Sequence, residues 1–327
     1  MDPREPARAR VRKGSQEDSQ DGRLELTPFP IIGLDMSGIL REETLPLTRP
    51  LIDCQDISGT DCYCDEIAEE EIKSRLTGIG PEGVHFLDSG NYHYLTLFFL
   101  QKLPEDQPFE LILFDNHPDS KEPAFGDILS CGGWVRKAWE KVPGLLKITM
   151  IGMDPLLLKE EGLKPGRNSL KRRPDLSPLI IECYPSGQNI DQRPDLSPLI
   201  IECYPGGQNI DQRQDLSPSI IECYPSGQNV DQRQDQAYDI PVYISIDKDV
   251  LRVEDARCNW SQGNMSKEEL LEMVSEIYRT RRVLGMDICG EEDRKDLTEG
   301  TKENEKRNQE LAELPGWCHF TAKSKNK

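Results

Sequence analysis

The chain has 327 residues, 36% of them hydrophobic and 30% charged, enough for one large α/β domain or two ordinary ones. The apolar content is somewhat diluted, which points to a part of the chain that is not packed. Lys and Arg number 40 against 59 Asp and Glu, and the resulting net charge of -19 repels phosphate backbones and speaks against non-specific nucleic-acid binding.

No run of about 18 apolar residues offers a membrane span. The N-terminal segment 1–26 has basic residues but no apolar stretch behind them, and it contains Asp2, Glu5, Glu17, Asp18 and Asp21. It reads as a disordered tail rather than a secretory signal or transit peptide. Of the ten cysteines, Cys183, Cys203 and Cys223 are copies of one repeat position. The pair Cys62 and Cys64 falls short of a four-cysteine zinc pattern, so a reducing cytoplasm is the expected setting.

In chain order, Phe29–Asp35 predicts a first strand and Asp65–Leu76 an acidic helix. Val84–Leu87 predicts a short strand, and Tyr92–Leu103 an apolar helix after it. Phe109–Phe114 is a nearly continuous apolar run that ends at Asp115, as expected of a strand buried on both faces. Gly126–Lys141 predicts a helix and Leu146–Gly152 another buried strand. Val242–Ile246 is a strand that runs into aspartates. Ser266 and Glu269 have capping-box spacing, and Leu270, Leu271, Val274, Ile277 and Tyr278 give the following helix one apolar face. Val283–Ile288 closes the series. Alternating strands and helices imply an α/β fold with a mostly parallel sheet covered on both sides.

The expected organisation is the tail, an α/β domain over 27–291, and a charged C-terminal tail over 292–327 that is a solvated helix or disordered. Residues 174–233 interrupt the domain with three near-identical copies of a 20-residue unit, PDLSPLIIECYPSGQNIDQR being the first. Three stacked repeats could share a solenoid core. Near-identity instead favours a tandem duplication in which one copy belongs to the original fold.

Three pieces carry chemistry. FDNHPD supplies Asp115, His117 and Asp119, whose alternate side chains point the same way on an extended segment. SIDKDV supplies Asp247 and Asp249, and SGNYHY supplies His93. All lie at carboxyl ends of predicted strands, where open parallel sheets bind ligands. An aspartate after a strand is often a turn or cap, and a lone histidine before an apolar helix is more often packed than ligating. Together, four carboxylates and two imidazoles form an O/N ligand set suited to manganese, and their mutual repulsion calls for cations.

In order, these pieces resemble the metal-ligand motifs of the arginase, agmatinase and ureohydrolase superfamily, over roughly Ile31–Glu291. Gly285–Ile288 is similar to that family's last core strand. The resemblance implies a three-layer αβα fold and two Mn²⁺ per chain, with a bridging hydroxide that cleaves a C–N bond of a small guanidino or amide substrate. It implies bridging by Asp115 and Asp249, one ion on His93, Asp119 and Asp249, the other on Asp115, His117 and Asp247. Histone-deacetylase-like proteins share the fold with a single zinc, but His93, Asp119 and Asp249 argue for the two-metal branch.

The departures concern substrate. A second-shell histidine has only Cys131 as its counterpart, and the guanidinium-binding carboxylate falls to Glu291, displaced by Cys289-Gly290. The alternatives are a non-catalytic metal-binding protein of this fold and a single-zinc deacylase. A small-molecule substrate is expected, no nucleic acid or membrane partner is, and a homo-oligomer is compatible with the sequence.

Overall fold

The computed structural model describes residues 29–123, 125–170, 179–185, 200–203, 220–223, 237–292 and 300–324. The N-terminal tail expected over 1–26 lies outside them, as do most of the repeat copies.

The strands are β1 (Ile31–Asp35), β2 (Ile52–Asp53), β3 (Tyr63–Cys64), β4 (Val84–Phe86), β5 (Phe109–Phe114), β6 (Leu129–Ser130), β7 (Leu145–Met153), β8 (Gly166–Leu170), β9 (Leu179–Pro185), β10 (Ile200–Cys203), β11 (Ile220–Cys223), β12 (Ala237–Asp239), β13 (Val242–Asp247) and β14 (Val283–Cys289). The helices are α1 (Glu66–Arg75), α2 (Thr96–Leu100), α3 (Trp134–Lys141), α4 (Pro155–Glu160), α5 (Lys267–Thr280) and α6 (Gly300–Ser324). Nine strands form one sheet in the order β2-β1-β4-β14-β13-β5-β7-β9-β8. Its neighbours pair parallel except β8, which runs antiparallel to β9.

The sheet is buried on both faces because its strands are apolar at successive positions. Leu111 and Leu113 of β5 join one core with Ala68 and Ile72 of α1, Phe98 of α2, and Trp134 and Ala138 of α3. Ile112 and Phe114 join the opposite core with Leu270, Val274 and Ile277 of α5 and Leu311 of α6. A strand's side-chain period of two thus feeds two helical layers, giving the expected αβα arrangement. Across one level runs a buried ionic row in which Glu110 meets Arg281 at 2.9 Å and Lys147 at 3.4 Å, and Lys147 meets Glu182 at 2.8 Å.

Local signals decide the ends. Asp65 caps α1 by accepting from the Ala68 amide, and Ser266 with Glu269 forms the full capping box of α5. Three expectations change. The helix expected over Tyr92–Leu103 is a 3-10 segment, Gly90–Leu95, followed by the short α2. The helix expected from Gly126 starts only at Trp134, because Leu129–Ser130 pairs with Tyr63–Cys64 and Cys131–Gly133 forms a tight 3-10 turn. The charged segment after Glu291 contains α6, which buries Asn304, Arg307, Asn308, Leu311 and Ala312. Its polar residues hold backbone: Asn304 donates to the Arg257 carbonyl and accepts from the Arg257 amide, and Arg307 donates to the Asp255 carbonyl.

The first repeat copy contributes β9 to the main sheet, and the other two contribute β10 and β11, which pair parallel at equivalent positions in a separate sheet with β12. Removing residues 194–233 leaves β9 in place, and loop closure changes by only about 0.6 kcal/mol per doubling of length. The shortened protein is expected to unfold in one cooperative transition and to keep its metal affinity. Loss of cooperativity in chemical denaturation would show that the later copies belong to the core.

Candidate metal centre

Parallel strands end on one side of the sheet, and the crossovers that leave them carry the six predicted residues. Asp115, His117 and Asp119 follow β5, Asp247 and Asp249 close β13, and His93 sits in the 3-10 segment after β4. The structure brings all six together. Asp115 lies between the two imidazoles: its Oδ2 is 3.2 Å from His93 Nδ1 and its Oδ1 is 3.5 Å from His117 Nδ1. His93 Nδ1 also faces Asp119 Oδ2 at 3.1 Å and Asp247 Oδ2 at 3.7 Å, while His117 Nδ1 faces Asp249 Oδ2 at 2.8 Å.

These distances divide the acids differently from the split implied by resemblance. Asp249 stands on the His117 side and Asp247 on the His93 side, because the tight turn after β13 sends the two side chains to opposite ends of the cluster. Its start is fixed by the Asp249 amide donating to Asp247 Oδ1 at 2.9 Å.

Partners outside the cluster aim each ligand atom. His93 Nε2 is engaged by Ser245 Oγ and His117 Nε2 by Ser261 Oγ, both at 2.8 Å, which leaves each Nδ1 facing the acids. Trp134 Nε1 donates to Asp119 Oδ2 at 2.8 Å, and the Asn116 amide donates to Asp249 Oδ1 at 3.0 Å. Such outer contacts fix ring orientation and ligand basicity in metal sites. Trp260 packs edge-on to His117 and donates to Asn91 Oδ1, so the loop around Trp260 forms a rim over the partly exposed imidazole. Gly90 permits this closeness: a Cβ there would lie 2.8 Å from both Asp247 Oδ2 and Trp260 Cδ1.

The charges need compensation. Burial and then the Asp115 charge push Asp119 up to about 7. Burial, Asp247 and Asp115 push Asp249 well above the carboxylate range. Burial lowers the His117 pKa, but Asp115 and Asp249 override it and hold the imidazole at about 12. His93, likewise opposed by burial, is raised by Asp115 and Asp119. Without a metal, protons therefore supply the positive charge. Cations that occupy the cluster must displace those protons, so divalent-metal affinity is expected to fall as pH drops from 8 to 6. Calorimetry in two buffers of different ionisation enthalpy should show proton release, and identical heats would contradict this.

The two predicted catalytic residues sit differently from expectation. Glu291 is buried and bonded to Lys248 Nζ and to Asn308 Nδ2, the latter at 2.8 Å. Lys248 thus engages the carboxylate expected to meet substrate. The preceding residue cannot substitute, since Gly290 has φ of 91° and a Cβ there would lie 2.4 Å from Asp247 Oδ1. Cys131 is buried beside Cys62, and the hydrogen bond its thiol donates to Cys62 and then burial raise it far above the ordinary range. The sequence reading missed Lys248, Asn308, Trp134, Ser245, Ser261 and Trp260. Only Ser245 and Lys248 carried a signal, by standing inside SIDKDV.

The comparisons with known proteins bear on the fold. A chain from Medicago truncatula arginase superposes with a TM-score of 0.52 at 14% identity, over 88% of this chain and 86% of that one. The chain has the arginase fold. Proclavaminate amidino hydrolase from Streptomyces clavuligerus gives a TM-score of 0.51 at 16% identity, over 89% of this chain and 93% of that one. A hypothetical agmatinase from Burkholderia thailandensis gives 0.50 at 16% identity, over 91% and 89%. At these identities the likeness is one of arginase fold. No protein-family model matches the chain. An uncharacterized protein of Thermotoga maritima is 29% identical over 211 residues, 64% of this chain and 59% of that protein. The chain therefore spans less than two thirds of that curated relative's length. No helix among the described residues is long and apolar enough to cross a membrane.

Proposed function

We propose that the protein is a metal-dependent hydrolase of the ureohydrolase type that cleaves a C–N bond of a small polar guanidino or amide substrate. The observation that carries this is Asp115 set between two imidazoles, with one carboxylate oxygen toward each. His93 Nδ1 and Asp115 Oδ2 are buried with no hydrogen bond of good geometry, although they face each other at 3.2 Å. A buried polar atom left so costs about 1–3 kcal/mol, and cations held in the cluster remove that cost.

The oxygen and nitrogen donors fit two Mn²⁺. His93, Asp119 and Asp247 would hold one ion, His117 and Asp249 the other, with Asp115 shared. When bound, such a pair supplies water activation near neutral pH and neutralises charge developing on the attacked group. The protein's own part is orientation. Ser245 and Ser261 fix the imidazoles, Trp134 fixes Asp119, and the Trp260 rim limits water access beside His117.

Turnover of a panel of amides and guanidines by manganese-loaded protein tests the reading, with activity expected to vanish on chelation and return with Mn²⁺. Free arginine and agmatine are expected to be poor substrates. Lys248 engages Glu291, and the Cys131 thiol, raised by its bond to Cys62, is poorly matched to proton transfer near neutral pH. A lost acid–base group costs about 10²–10⁴-fold and a misplacement of about 1 Å on the order of 100-fold. Urea release from arginine near an ordinary rate of about 10 per second would contradict this. A second reading, a metal-binding protein without turnover, is favoured by the same Lys248–Glu291 pairing. A protein that binds metal fully and turns over no member of the panel would favour it.

A further inference from the structure

The two halves of the metal cluster differ in one atom type. On the His117 side the converging atoms come from Asp115, His117 and Asp249. On the His93 side a sulfur joins: atoms of His93, Asp247 and Cys289 all lie within 4.8 Å of one another. Cys289 is the last residue of β14 and is 1% exposed, and its Sγ donates to Asp247 Oδ2 at 3.3 Å. The same carboxylate oxygen is 3.7 Å from His93 Nδ1.

Neighbouring N, O and thiolate ligands of one ion, bonded at about 2.0–2.3 Å, stand roughly 3–3.6 Å apart. The Cys289–Asp247 separation of 3.3 Å lies in that range and the His93–Asp247 separation of 3.7 Å just beyond it. His93 Nδ1, buried and without a hydrogen bond of good geometry, faces Asp247 Oδ2 as well as Asp115 and Asp119. A second cysteine nearby is bonded to backbone instead of to a cluster carboxylate, since Cys258 Sγ donates to the Gly290 carbonyl at 3.1 Å.

We infer that Cys289 is a thiolate ligand of the ion on the His93 side, which makes this position selective for a borderline-soft cation such as zinc, cobalt or ferrous iron. The His117 position, with oxygen and nitrogen donors alone, keeps the preference for manganese. On binding, the S–H bond of Cys289 breaks, the sulfur's electron pair forms the bond to the metal, and the proton leaves to solvent. No oxidation state changes. This assignment rests on the two-metal reading above and refines it to an unlike pair of ions.

The test is titration of the metal-free full chain with Co²⁺ alone, followed by absorption spectroscopy and metal analysis. Two Co²⁺ per chain are expected, with an intense sulfur-to-cobalt charge-transfer band that develops with one of them. Cys289→Ser is expected to abolish the band and weaken one site at least about 10-fold, while Cys258→Ser and Cys131→Ser leave the band unchanged. Two bound Co²⁺ without the band in the unmutated protein would overturn Cys289 as a ligand and leave the two-metal centre standing. So would a band that survives Cys289→Ser. No bound Co²⁺ at all would overturn the two-metal reading itself, and this assignment with it. The unmutated protein's spectrum decides even where Cys289→Ser does not fold.

Discussion

Asp115→Ala is expected to reduce bound metal below one ion per chain and turnover by at least about 10³-fold, roughly 4 kcal/mol in the activation barrier. Its two oxygens face His93 Nδ1 at 3.2 Å and His117 Nδ1 at 3.5 Å, so its loss strips a ligand from both positions. Asp119→Ala should behave differently, because Asp119 approaches His93 and not His117; the His117-side ion should persist. The unfolding equilibrium gives a second readout. At a metal concentration 100 times the dissociation constant, one site contributes about 2.7 kcal/mol of apparent stability, which Asp115→Ala should forfeit at both sites. Equal metal loss in the two variants would contradict the bridging position of Asp115.

The second large effect is expected at Lys248, which stands between the two metal-binding aspartates yet points away from them. Its ammonium is fully buried against Glu291 and bonds Asn308 of α6 at 2.9 Å. Burial, then the Glu291 charge, push the neighbouring Glu43 up to about 9, so Glu43 is protonated near neutral pH and the pair is one cation with one anion. Lys248→Met leaves Glu291 buried without its cation, and breaking a buried pair from one side costs about 3–5 kcal/mol. Replacing both partners, Lys248→Met with Glu291→Gln, should recover most of that loss, since no buried charge remains. Chemical denaturation of the metal-free variants reads both numbers. A Lys248→Met cost below about 1 kcal/mol, or no recovery in the double variant, would show that the pair does not hold α6 against the Asp247–Asp249 turn.

Much of this was legible in the sequence where a signal is local and periodic. The β5 run ending at Asp115, the β13 run ending at Asp247 and the capping box at Ser266 each specify an element from adjacent residues, and they place five of the six cluster residues at strand ends. What stayed hidden depends on long-range pairing. The Tyr63–Cys64 pairing with Leu129–Ser130 spans more than sixty residues and cuts short the helix expected from Gly126. The C-terminal segment reads as solvated because it is charged, yet Asn304, Arg307 and Asn308 bury their polar groups against backbone and Lys248, partners that no helical period reveals. The division of the aspartates was hidden for a related reason. The turn after β13 sets Asp247 toward His93 and Asp249 toward His117, the reverse of the split that the resemblance implies.

Metal content tests the centre most directly. Protein expressed with manganese, dialysed against metal-free buffer and subjected to elemental analysis should hold close to two divalent ions per chain, falling below one in Asp115→Ala. Protein that folds cooperatively but retains no divalent ion under these conditions would contradict the metal centre and the hydrolase built on it.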